Sequence, residues 1–142
     1  MIHHCTEIRV RYADTDQMNG VYYGKYFEYF EQGRSDLMRA IGLPYGVLEA
    51  QGYFLPVIEA HADYRKRARY DDLLQVETRL NEIPEARIRL DYTIVRLPDK
   101  EAIAEGYTVH SFVHASTGRP TRAPGVFLDV INKAFANTGG TQ

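Results

Sequence analysis

One change of period governs this chain. Over residues 22–41, Tyr23, Tyr26, Phe27, Phe30, Leu37, Met38 and Ile41 fall on one helical face, with Glu28, Gln32, Ser35 and Arg39 opposite. A helix of that length spans about 30 Å and is the longest element in the sequence. Almost everywhere else the apolar period is two. A single long helix with one apolar face, in a chain of strands, must lay that face on the sheet. Gly33 sits inside the apolar face, where glycine costs about 1 kcal/mol of helix propensity, so close approach to another backbone is its expected reason. Gly42, followed by Leu43 and Pro44, ends the helix.

Around the helix the strands follow in order. Residues 7–12 alternate Ile8, Val10 and Tyr12 against Glu7, Arg9 and Arg11. Residues 44–51 form one short helix closed by Gly52. Alternation then resumes over residues 54–67, 73–80, 87–97 and 102–115, with Pro- and Gly-bearing turns between. Residues 127–135 make a short terminal helix, and the polar, Gly-rich residues 136–142 read as a disordered tail. With no repeat and no linker, residues 1–142 are expected to form a single domain. Short turns force antiparallel neighbours. The expected class is therefore α+β: a long central helix packed on a curved five-stranded antiparallel sheet. The open sheet edges need covering, which predicts a symmetric homo-oligomer, dimer or tetramer.

Composition narrows the function. Hydrophobic residues make up 44% and charged residues 25%, ordinary for a globular chain, and a net charge of −2 gives no footing for nucleic acid. No apolar run reaches bilayer length, so no membrane partner is expected. The single Cys5 excludes an intrachain disulfide and predicts a reducing, cytoplasmic setting. The chain has eleven Tyr and no Trp, and Tyr12, Tyr22, Tyr23, Tyr26 and Tyr29 crowd the opening stretch.

That stretch also carries the chemistry. Two acids, Asp14 and Asp16, precede an Asn19-Gly20 turn and the helix start. Unpaired N–H groups and partial positive charge at a helix start can hold an oxyanion while a carboxylate acts as nucleophile or general base. The alternative is that Asp16 only caps the turn or helix. Asp14 shares a face with Asp16 if the chain is extended there, but reads as a solvated turn acid. Glu31 and Arg34 are spaced to pair on the helix. His61, His110 and His114 lie on strands without a third ligand at metal spacing, so they read as satisfied strand histidines and no metal is expected. Arg65, Lys66, Arg67 and Arg69, with Arg87 and Arg89, form two basic clusters on strands taken as neighbours. Such clusters suit phosphate groups, and solvated strand faces explain them nearly as well.

The string Tyr12-Ala13-Asp14-Thr15-Asp16, then Gly20-Val21-Tyr22-Tyr23, Tyr26, and Glu31 with Arg34, resembles the signature of hot-dog-fold acyl-CoA thioesterases. The nearest branch is the 4-hydroxybenzoyl-CoA thioesterase-like group, with the Tol–Pal-associated thioesterases nearby. Further matches are Tyr64-Arg65, Ala68-Arg69-Tyr70-Asp71-Asp72-Leu73, Gly106-Tyr107-Thr108-Val109-His110 and Thr117-Gly118-Arg119-Pro120. The resemblance implies hydrolysis of an acyl-CoA thioester, with Asp16 as nucleophile or general base and the Tyr23 backbone N–H as oxyanion donor. It implies a substrate site around Gly20, Val21, Tyr22, Tyr26 and Phe27, and contacts from Arg65, Arg67, Arg87 and Arg89 to CoA. No cofactor is implied, since CoA is part of the substrate. The chain departs from the pattern at three places. Tyr23 stands where many members carry His, Asn19-Gly20 replaces a small–aliphatic pair, and Arg67 stands where Pro is common. Other functions of the same fold are a non-catalytic acyl-binding module, an acyl-carrier-protein thioesterase and a dehydratase; the last usually needs the missing His.

Overall fold

The computed structural model describes residues 1–139. Strand β1 (Ile2–Arg9) leads into a 3-10 turn (Tyr12–Asp14) and the long helix α1 (Lys25–Ala40). A short helix α2 (Tyr45–Ala50) and a two-residue strand β2 (Tyr53–Phe54) follow. Then come β3 (Val57–Tyr64), β4 (Leu73–Leu80), β5 (Arg87–Leu97), β6 (Glu101–Ser111), the short β7 (Val113–His114) and the helix α3 (Gly125–Gly139). Five strands form one antiparallel sheet in the order β1-β4-β5-β6-β3, and β2 pairs separately with β7. The expected α+β class, a long helix on a five-stranded antiparallel sheet, is the fold observed.

α1 lies across the sheet with Tyr26, Tyr29, Phe30, Gly33, Leu37 and Met38 buried. The Phe30 ring stacks on Tyr92 of β5 at 4.4 Å. Gly33 sets the closeness of this contact. A Cβ built there falls against Thr78 Oγ1 and lies 3.0 Å from Val76 Cγ1, both on β4. The neighbour is a pair of side chains rather than the backbone expected. Gly42 ends the helix at φ +90°, the left-handed conformation of a helix stop. Leu74, Val76, Leu80, Ile88, Leu90, Tyr92 and Ile94 complete the core from the sheet.

The structure corrects five expectations. The first strand is not residues 7–12: β1 pairs with β4 from Ile2↔Leu80 to Arg9↔Leu73, and Tyr12 turns outward, 78% exposed. The helix starts at Lys25 rather than residue 22. Its buried face takes Tyr29 in place of Tyr23, and its 16 residues span about 24 Å. Residues 54–67 are not one strand beside β4. β3 crosses to the far edge and pairs with β6, so its alternation meets solvent on nearly every residue. The basic clusters are not on neighbouring strands: Arg65, Lys66, Arg67 and Arg69 lie in the crossover after β3, and Arg87 and Arg89 lie on β5, separated from β3 by β6. Residues 136–139 of the expected tail belong to α3, and residues 140–142 lie outside the described part.

No helix of the described residues is long and apolar enough to cross a membrane.

Candidate active site

The segment between the 3-10 turn and α1 is a tight loop tied at both ends. Thr15 and Val21 form an antiparallel bridge. Asp16 N–H donates to Gly20 O at 2.9 Å and Asn19 N–H to Asp16 O at 3.2 Å. Asn19 adopts φ 63°, which asparagine tolerates better than most side chains. Val21 N–H donates to Ala68 O at 2.8 Å, and Tyr22 N–H to Asp14 O at 2.9 Å. The crossover of residues 65–72 thus runs against the loop, which is why Arg67 reaches Asp16.

Asp16 Oδ1 accepts the Met18 N–H at 2.9 Å, and Oδ2 is paired with the Arg67 guanidinium. The Met18 N–H, followed by the Arg67 charge, holds the carboxyl below the ordinary aspartate value, and the opposing effect of desolvation is outweighed. The Arg67 stem packs on Gly20, where an added Cβ would lie 2.5 Å from Arg67 Cδ. A side chain there would push that stem aside.

The first turn of α1 supplies the donors. Lys25 N–H donates to Tyr22 O and Tyr26 N–H to Tyr23 O, while the N–H groups of Tyr23 and Gly24 have no acceptor among the described residues. These orphan donors carry the positive end of the helix dipole. A cleft of about 690 Å³ lies at this end of α1, lined by Asp16, Met18, Val21, Tyr22, Tyr23, Tyr26, Tyr64, Arg65, Lys66 and Arg67. Its wall is aromatic. Tyr22 and Tyr23 lie 4.6 Å apart, Tyr26 and Tyr64 5.4 Å apart, and the Tyr64 hydroxyl donates to Tyr23 O at 3.1 Å. The Tyr26 hydroxyl accepts the Ala68 N–H at 3.2 Å. A carboxylate, a free N–H at a helix start and a largely apolar wall around them suit attack on a carbonyl and stabilisation of the oxyanion that forms.

Of the residues singled out in the sequence, Asp16, Val21, Tyr22, Tyr23, Tyr26, Arg65 and Arg67 share this cleft, and Gly20 lies beneath Arg67. Phe27 does not. It lines a separate cleft of about 250 Å³ with Glu31, Arg34, Val57, Ala60 and Thr108. Arg87 and Arg89 line a third, of about 660 Å³, beside the β4–β5 turn. The Arg89 guanidinium is held by Asp91 at 3.1 Å and lies 4.0 Å over the Tyr107 ring. Within one chain neither arginine stands with Asp16.

Asp14 is not the solvated acid expected. It is buried, with its carboxylate turned toward α1. Met18 in the cleft escaped sequence reasoning, and Tyr64 and Lys66, noted only in the family match and in the basic cluster, were not placed beside Asp16: nothing in strand alternation says that the β3 end returns to the helix start. Glu31 and Arg34 do approach, at 3.7 Å. His110 is a satisfied strand histidine, with Nδ1 3.0 Å from Leu55 O and Nε2 2.9 Å from Thr108 Oγ1. Among the described residues no three His, Cys, Asp or Glu side chains converge as a metal site would require.

The helix-on-sheet architecture, with a carboxylate and a free N–H at the helix start, defines a hot-dog-fold protein with the parts of a hydrolase. The comparisons give the family. Residues 10–131 match the family profile described as thioesterase-like superfamily, and the chain belongs to that superfamily. It is 30% identical over 123 residues to a putative acyl-CoA thioesterase, YneP, of Bacillus subtilis, covering 87% of this chain and 88% of the relative. It is 28% identical over 123 residues to a putative esterase of Aquifex aeolicus, covering 87% and 93%. The crystal structure of a DHNA-CoA thioesterase from Staphylococcus aureus superposes with a TM-score of 0.88 at 30% identity, over 99% of this chain and 93% of that one.

Proposed function

We propose that the chain hydrolyses acyl-CoA thioesters, giving a carboxylic acid and free CoA. The observation that carries this reading is that Asp16 and Tyr23 line one cleft and that the Tyr23 N–H, just before α1, has no acceptor among the described residues. Two routes use the same parts. As nucleophile, Asp16 attacks the thioester carbon, the carbonyl oxygen takes the negative charge opposite the Tyr23 N–H, and CoA leaves as thiolate. Water then hydrolyses the resulting anhydride and restores the carboxylate. As general base, Asp16 takes a proton from water, whose oxygen attacks the same carbon, and the proton passes to the leaving thiolate. In both, the oxyanion is stabilised by a donor fixed before reaction. Family membership and the named relatives support thioester hydrolysis over a purely binding role.

Tyr22, Tyr26 and Tyr64 flank the reacting group, and Arg65 and Arg67 offer charge for CoA at the cleft mouth. Phe27, Arg87 and Arg89 act on the same substrate only if a second copy brings their clefts beside Asp16. The exposed edge of β3 gives such a copy a place to pair. The assembly is therefore a homo-oligomer, expected at two or four times the 16.3 kDa chain mass by light scattering. A mass of one chain at working concentration contradicts it.

The direct experiment follows free thiol from benzoyl-, short-, medium- and long-chain acyl-CoA and from acyl groups on carrier protein. Release from at least one acyl-CoA, faster than from the carrier protein, supports the reading. Tight binding of every thioester with no thiol released points instead to the non-catalytic module.

A further inference from the structure

Asp14 is the one carboxylate among the buried polar side chains of the described residues, 3% exposed. A buried carboxylate is costly unless its oxygens are bonded. Here Oδ2 accepts the Tyr29 hydroxyl at 2.9 Å and the Arg11 N–H at 3.1 Å. Oδ1 faces the Arg11 guanidinium at 3.3 Å and the Lys25 ammonium at 3.9 Å. Burial pushes the carboxyl up; the Arg11 N–H, the Tyr29 hydroxyl and the guanidinium outweigh it and hold the group ionised.

These donors come from opposite sides of the loop. Arg11 precedes it, while Lys25 and Tyr29 belong to the first turns of α1. The Asp14 backbone carbonyl meanwhile accepts the Tyr22 N–H at 2.9 Å. One residue thus clamps the segment that enters the loop to the segment that leaves it. Asp16 lies two residues after the clamp and the Tyr23 N–H one residue after Tyr22. Asp14 itself lines a different groove from the Tyr-walled cleft and does not face the reacting atoms.

We propose that Asp14 is a positioning residue: its buried carboxylate fixes the loop on α1 and so sets Asp16 opposite the Tyr23 N–H. This rests on the hydrolase reading above. The competing role is purely structural, a buried ion pair that holds the fold and has no effect on the geometry of attack.

The test uses Asp14→Asn, Tyr29→Phe and the double variant in the full chain. kcat and KM are measured on an acyl-CoA that the wild type hydrolyses. Hydrogen exchange is followed in peptides spanning the loop and in those from β4 and β5. Asn keeps the shape but turns one acceptor into a donor: with its oxygen where Oδ2 stood, its NH2 faces the Arg11 guanidinium and the Lys25 ammonium, and turned round it faces the Arg11 N–H. The expected result is a kcat lower by about tenfold to a hundredfold with KM changed by less than about threefold, as a misplaced reacting group gives. Tyr29→Phe gives a smaller loss, and the double variant loses less than the product of the two because both break one bond. Loop amides exchange faster while β4 and β5 amides do not. Wild-type kcat in a folded Asp14→Asn, a change in KM alone, or unchanged loop exchange overturns the proposal. If Asp14→Asn does not fold, Tyr29→Phe decides by the same criteria. If the wild type releases no thiol from any acyl-CoA, the hydrolase reading falls on its own, and the exchange measurement still decides whether Asp14 clamps the loop.

Discussion

Asp14 and Asp16 are two residues apart and live in different chemistry. Asp14 is surrounded by four donors and turned inward, whereas Asp16 keeps a partly exposed carboxylate on the wall of a cleft. The Met18 N–H and then the Arg67 guanidinium keep Asp16 ionised below the usual carboxylate range. A nucleophile or base must be ionised to work, so in the proposed role Asp16 sets the acid limb of kcat/KM in the free enzyme. Removing the guanidinium with Arg67→Ala leaves the Met18 N–H and raises the Asp16 pKa toward the ordinary aspartate value. The acid limb then moves to higher pH, and Arg67→Lys moves it back part of the way. A pH–rate profile of the two variants checks this; an acid limb that stays where it was, or moves to lower pH, contradicts it.

At the scale of elements, β4 and β5 fall where alternation places them, because both strands are central and each inward residue is buried. β3 shows the opposite case. Its alternation is real, but an edge strand with two open faces turns no alternation into burial, and its partner is set by the crossover rather than by any local pattern. The helix start slid by three residues since Tyr22 and Tyr23 look apolar on a helical wheel, while the Tyr22 N–H is taken by Asp14 O. In the site, the meeting of Asp16 and Tyr23 in one cleft was legible from spacing and resemblance. Asp14 was not, because its burial depends on Tyr29 and Lys25 folding back over it. The separation of Arg89 from Arg67 depends on strand order, which short-range patterns do not encode. The α1–β4 contact carries its own prediction. Gly33→Ala gains about 1 kcal/mol of helix propensity but drives a Cβ into Thr78 and Val76, an overpacking that costs about 1–3 kcal/mol. Urea denaturation is expected to show net destabilisation, and a more stable Ala variant contradicts the close approach.

Over the whole molecule, the buried polar side chains of the described residues include, besides Thr6, Asp14 and Thr78, a short line on β5 and β6. The Tyr92 hydroxyl meets Thr108 Oγ1 at 2.6 Å, and His110 lies between Thr108 and Leu55 O. Burial, opposed by the Leu55 carbonyl and aided by the Arg34 charge, pushes His110 down to about 4. The unfolded chain holds its proton near 6.5, so it binds more protons than the fold does between those values. Stability is therefore full above about pH 6.5 and falls as the pH drops toward 4, by up to about 3 kcal/mol from this group. Denaturation midpoints at pH 7 and 4.5 are expected to differ less in His110→Gln than in the wild type; equal differences contradict the assignment.

The architecture comes together at one point, where the helix that the core anchors begins beside the carboxylate that the crossover holds. The most direct measurement is free-thiol release from a panel of acyl-CoA thioesters by wild type and Asp16→Asn, which keeps the side-chain size and removes the charge. The account predicts turnover by the wild type and a variant slower by about a hundredfold or more, as loss of a nucleophile or general base gives. A folded Asp16→Asn that releases thiol as fast as the wild type would contradict it.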